Sequence, residues 1–110
     1  MPEIPLACRM DALDAAGRAR HGTLVAELKS NVQALEELPE GYAIRFPARP
    51  YLFLRVAEWI ELERACCPFL TIRLELEHAN HSMRVSLTGP AGTKDFLRAE
   101  LNLAAIEISG

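Results

Sequence analysis

Apolar residues first recur along the chain with a helical period, as Leu24, Val25, Leu28, Val32 and Leu35 return on one face at spacings of three and four. With Asp11 or Asp14 as its cap, this pattern predicts a helix running toward Leu38, weakened in its first half by Gly17 and Gly22. Pro39-Glu40-Gly41 stops it, and Glu36, Glu37 and Glu40 read as its solvated end. Tyr42, Ile44 and Phe46 then alternate with Ala43 and Arg45, the period of a half-buried strand that Pro47 ends. Pro50 suits the first turn of a second helix. There Leu52, Phe53, Val56, Ala57, Trp59 and Ile60 form a broad apolar face, while Arg55, Glu58, Glu61 and Arg64 look outward. Pro68 has no amide hydrogen to give, so this helix cannot continue past Cys67.

From Phe69 onward the period is two. Leu70, Ile72, Leu74 and Leu76 alternate with Thr71, Arg73, Glu75 and Glu77; a polar turn at Ala79-Asn80-His81-Ser82 leads to Met83, Val85 and Leu87, predicting an antiparallel hairpin. After the loop Thr88-Gly89-Pro90-Ala91-Gly92, Thr93 is placed to cap a last helix with Phe96, Leu97, Leu101, Ala104 and Ala105 inward. The expected fold is one α+β domain over 1–110, with 1–10 as an irregular N-terminal segment. Its order is α-β-α-β-β-α, a two-layer sandwich of a three-stranded sheet with helices on one face. Such a sheet leaves an edge and part of a face open, which predicts a homodimer.

Composition narrows the partners. Half of the 110 residues are apolar and a quarter charged, the balance of a folded globular chain. The formal charge of -3 provides no broad basic surface, so no nucleic-acid partner is expected. No apolar run is long enough for a signal segment or a membrane span. Pro5-Leu6-Ala7-Cys8 echoes a lipoprotein cleavage site, but the short stretch before it has no basic start. Three cysteines cannot close a disulfide framework among themselves, which fits a reducing cytoplasm with the cysteines kept as thiols or metal ligands.

The concentrated chemistry is the adjacent pair Cys66 and Cys67. Thiolates are the softest protein ligands, and Glu63, three residues before Cys66 and four before Cys67, shares their helical face as a proton acceptor or an additional ligand. Adjacent cysteines bridge each other only with a strained peptide, so an internal redox disulfide is disfavoured. The negative end of the helix dipole opposes a bare thiolate there, and a nucleophilic role would need Arg64, Arg73 or a metal to offset it. Metal or metalloid capture suits the pair better, with Cys8 as a third sulfur and Glu63 and Arg64 around it. Free cysteines are also commonly buried as small apolar residues, and on a helix one member of the pair must follow the apolar face.

Other polar groups rank lower. His78 and His81 flank a hairpin turn where exposed polar residues are ordinary. His21 belongs to the basic cluster Arg18-Ala19-Arg20-His21, which reads as a solvated face, an anion site or a partner for the acidic second helix. No zinc-finger spacing and no H-E-x-x-H occurs. Gly89-Pro90-Ala91-Gly92-Thr93-Lys94 lacks the full phosphate-loop pattern and reads as a strand-to-helix turn. Trp59 reads as core or interface.

The block Glu63-Arg64-Ala65-Cys66-Cys67-Pro68-Phe69-Leu70, together with Leu38 to Pro47, Leu87-Thr88-Gly89-Pro90 and Phe96-Leu97, resembles a family of small uncharacterised bacterial proteins. The resemblance spans about Cys8 to Leu97. Similar Glu-x-x-Cys-Cys-x-Phe-Phe blocks occur in small proteins associated with heavy-metal-responsive regulation. The resemblance implies thiol-based metal handling at Cys66 and Cys67, and carries no catalytic mechanism or substrate. Three readings follow: a binding protein for a thiophilic ion such as mercury(II) or arsenite, a thiol enzyme with Cys66 or Cys67 as nucleophile and Glu63 as base, and a dimeric interaction module whose cysteines fill its core.

Overall fold

The computed structural model describes residues 9–79 and 81–100. Cys8, and the expected inward positions Leu101, Ala104 and Ala105, lie outside the described residues. A short 3-10 turn, Met10–Ala12, leads to α1 (Ala15–Lys29), β1 (Ala34–Leu38), β2 (Gly41–Pro47), α2 (Pro50–Cys66), β3 (Thr71–Glu77), β4 (Ser82–Thr88) and α3 (Thr93–Glu100). The α+β class holds, but the sheet has four antiparallel strands in the order β1-β2-β4-β3, not three, and the element order gains a strand before α2.

The added strand comes out of the expected long helix. Asp14 caps α1 as anticipated, its carboxylate accepting from the Gly17 amide at 2.7 Å. The helix ends at Lys29, because the Ser30 hydroxyl and Asn31 amide both donate to the Glu27 carbonyl and draw the last turn away from helical continuation. Val32 and Leu35 therefore lie beyond it. Ala34–Leu38 pairs with β2 through a two-residue Pro39-Glu40 turn, with Leu38 opposite Gly41, so Glu36 and Glu37 are strand residues and Glu40 a turn residue instead of a helix end.

Gly41 is required by the sheet: a Cβ there would stand 1.8 Å from the Leu87 carbonyl oxygen on β4. Since β2 and β3 both run antiparallel to β4, they are parallel to each other with β4 between them, and α2 is the crossover.

The three helices of the described residues lie on one face of the sheet. Leu24 and Leu28 of α1, Leu52, Val56 and Trp59 of α2, and Leu97 of α3 form one core with Leu35, Tyr42, Ile44, Phe46, Met83, Val85 and Leu87. Arg98 donates to the Tyr42 hydroxyl at 2.6 and 3.0 Å, and Lys94 pairs with Glu37 at 2.6 Å, tying α3 to the first hairpin. Thr93 is the first residue of α3 rather than its cap, and its hydroxyl donates to the Pro90 carbonyl.

The opposite face carries a cross-strand charge ladder, with Arg84 between Glu36 and Glu75 and Arg45 paired with Glu77. The sheet edges β1 and β3 carry charges at Glu36, Glu37, Arg73, Glu75 and Glu77, a pattern that discourages edge pairing. The argument for a second copy from an open three-stranded sheet does not carry over. Among the described residues no helix is long and apolar enough to cross a membrane.

Candidate metal centre

The buried stripe of α2 is Leu52, Val56, Trp59, Glu63 and Cys66, spaced by four, three, four and three. Helical periodicity thus carries a carboxylate and a thiol into the line that begins as ordinary core. Glu63 is only 4% exposed, and a buried carboxylate is costly without a partner. Its partner is His21 on α1, with Nε2 2.7 Å from Glu63 Oε1. His21 follows the same logic from the other helix, since it precedes the buried Leu24 and Leu28 by three and seven residues.

The two helices are laced antiparallel. Arg20 donates two bonds to the Glu58 carboxylate at 2.7 and 2.8 Å, and Arg55 pairs with Glu27 at 3.2 Å. Of the three readings of the basic cluster, a solvated face, an anion site or a partner for the second helix, Arg20 and His21 take the last. The Arg20–Glu58 contact raises the guanidinium pKa and lowers that of the carboxyl, in each case mainly through their hydrogen bond.

Pro68 decides the end of α2. Cys66 is the last helical residue, while Cys67 leaves helical geometry at φ −124° and ψ 73° and donates its amide to the Glu63 carbonyl at 2.7 Å. This departure is why both thiols turn inward. The expectation that only one of two neighbours could follow the apolar face holds for a continuing helix, and here the two Sγ atoms are 3.8 Å apart with both residues buried. Phe69 closes over them, edge-on to Phe96 of α3 at 4.9 Å between ring centroids.

The site's donor atoms fall into two groupings that share Cys66. One is the sulfur pair with Cys67; the other is a cluster in which donor atoms of His21, Glu63 and Cys66 all lie within 4.8 Å of one another. Cys8 lies outside the described residues, but its neighbour Arg9 donates its amide to the Cys66 carbonyl at 2.6 Å. Arg64 is turned away: it is exposed and pairs with Glu61. The exposed His78 and His81 rings sit 6.2 Å apart at the β3–β4 turn.

A groove of about 600 Å³ lies elsewhere, between the β1–β2 turn and the start of α3, and shares no lining residue with this centre. Of the site residues, His21 is the one that ranks low on sequence alone. Its signal was position on the Leu24–Leu28 stripe, outweighed by the arginines beside it. No protein-family model, curated protein or solved structure matches the chain.

Proposed function

We propose that this protein binds a thiophilic metal or metalloid ion through Cys66 and Cys67. The observation that carries the reading is the 3.8 Å approach of the two sulfurs, a separation at which one ion can be held by both. In this reading Cys8, one residue before the Arg9 amide anchored on Cys66, supplies a third sulfur, and Glu63 supports the site from the preceding turn. A reducing compartment such as the cytoplasm, where thiols persist, belongs to the same reading.

Burial favours binding over thiol catalysis. Cys66 and Cys67 are 0% and 1% exposed, whereas a nucleophile has to meet its substrate. A plain structural core is disfavoured by the company the sulfurs keep, because a buried carboxylate–imidazole pair beside them costs desolvation that aliphatic side chains would avoid.

Titration with mercury(II) and with arsenite, followed by thiolate-to-metal absorption, tests the proposal. Wild type is expected to saturate at one ion per chain, Cys66→Ser and Cys67→Ser to lose the signal, and Cys8→Ser to weaken binding. Unchanged binding in both Cys66→Ser and Cys67→Ser sinks it.

A further inference from the structure

Resting on that reading, we infer that the ion is a zinc-class divalent cation, and that His21 and Glu63 complete its coordination with Cys66 and Cys67. The bite of the sulfurs matches a tetrahedral ion. Two thiolates on a tetrahedral ion with metal–sulfur bonds of about 2.3 Å stand about 3.8 Å apart, while on a linear two-coordinate ion with the same bonds they stand about 4.6 Å apart. The observed separation is 3.8 Å.

The neighbours of Cys66 bring nitrogen and oxygen as well as sulfur. A strictly soft ion is served by sulfur alone, and a centre built for it has no use for an imidazole and a carboxylate. Here both have donor atoms within 4.8 Å of Cys66 Sγ. Zinc accepts sulfur, nitrogen and oxygen together, so the four side chains form a two-sulfur, one-nitrogen, one-oxygen set.

The imidazole and the carboxylate stand close to ligand spacing. In a tetrahedral site a ligating nitrogen and oxygen stand about 3.3 Å apart, whereas His21 Nε2 and Glu63 Oε1 now meet at 2.7 Å across a hydrogen bond. The proton they share is released to solvent as the ion binds, and spreading the two atoms by about 0.6 Å makes room for it, a change within the reach of side-chain rotation on two packed helices. Cys66, common to both groupings, is the fixed corner. Cys67 Sγ lies outside the His21–Glu63–Cys66 cluster, 3.8 Å from Cys66 Sγ, and joins as the fourth donor by turning toward the ion held at that corner.

The test uses the full chain. X-ray absorption of the zinc-loaded wild type is expected to show two sulfur and two nitrogen or oxygen neighbours. Competition titrations against cobalt(II), read by the visible bands of tetrahedral cobalt, are expected to show zinc affinity lowered at least about 100-fold in His21→Gln. The absorption measurement needs no variant, so it decides even if His21→Gln folds poorly. A sulfur-only shell overturns the inference. So does mercury(II) binding through the cysteines without zinc binding, an outcome that leaves the proposed function standing. Failure of every ion tested to engage Cys66 and Cys67 overturns both.

Discussion

His21 Nε2 and Glu63 Oε1 are 2.7 Å apart across the α1–α2 interface, in the same buried layer as Cys66. Few arrangements in a small core cost as much to desolvate. Replacing Glu63 by Ala is expected to remove a charge-assisted hydrogen bond and lower unfolding stability by about 1.5–3 kcal/mol, read from urea denaturation. Replacing Arg20 by Ala, which breaks a pair at the solvent-exposed rim of the same interface, is expected to leave the midpoint nearly unchanged. Equal effects at the two sites would show that burial does not set the worth of the His21–Glu63 contact.

The acid limb of stability should report the surface pairs. Hydrogen bonding and attraction from Lys94 lower the pKa of Glu37, and those from Arg20 lower that of Glu58. A carboxyl with a depressed folded pKa gives up its proton more readily folded than unfolded. Its contribution is therefore present above the unfolded value, near the ordinary carboxylate range, and is lost as pH falls through the folded value. Thermal midpoints are expected to drop across that interval in wild type and to drop less in Glu37→Gln and Glu58→Gln. Added salt should shrink the difference. A variant slope equal to that of wild type would contradict the assignment.

Two glycines make opposite forecasts. Gly41→Ala would drive a methyl group into the Leu87 carbonyl and force β2 from β4, destabilising by about 1–3 kcal/mol or more. Gly22, within α1, has nothing within 4 Å of the position a Cβ would take, so Gly22→Ala is expected to stabilise by about 0.5–1 kcal/mol. Thermal melts of the two variants check both signs.

What the sequence disclosed depended on whether a local cause was decisive. Pro50 and Pro68 bracket α2 by removing backbone donors, and β3 and β4 alternate so strictly that their hairpin could be read directly. The shared face of Glu63 and Cys66 followed from spacing alone. By contrast, Ala34-Leu35-Glu36-Glu37-Leu38 consists of good helix formers in phase with α1, and only pairing with β2 makes it a strand. The β2–β4 neighbourhood depends on contacts distant in sequence, which no local period encodes. The convergence of the two sulfurs required the non-helical backbone at Cys67, and His21 needed the antiparallel lacing of α1 on α2 to find its carboxylate.

Thiol reactivity separates the binding reading from the catalytic one. In a Cys8→Ser chain, Ellman's reagent is expected to label Cys66 and Cys67 slowly in the native state and both rapidly in denaturant, since both residues are buried. Preloading with zinc or mercury(II) should slow native labelling further. Rapid stoichiometric labelling of one thiol in the native chain would favour a nucleophile instead.

The central claim is that Cys66 and Cys67 hold an ion, and native mass spectrometry of the protein after loading with mercury(II) tests it most directly. One ion per wild-type chain, and none in a folded Cys66→Ser/Cys67→Ser chain, is the predicted result. Equal occupancy in the two chains would contradict it.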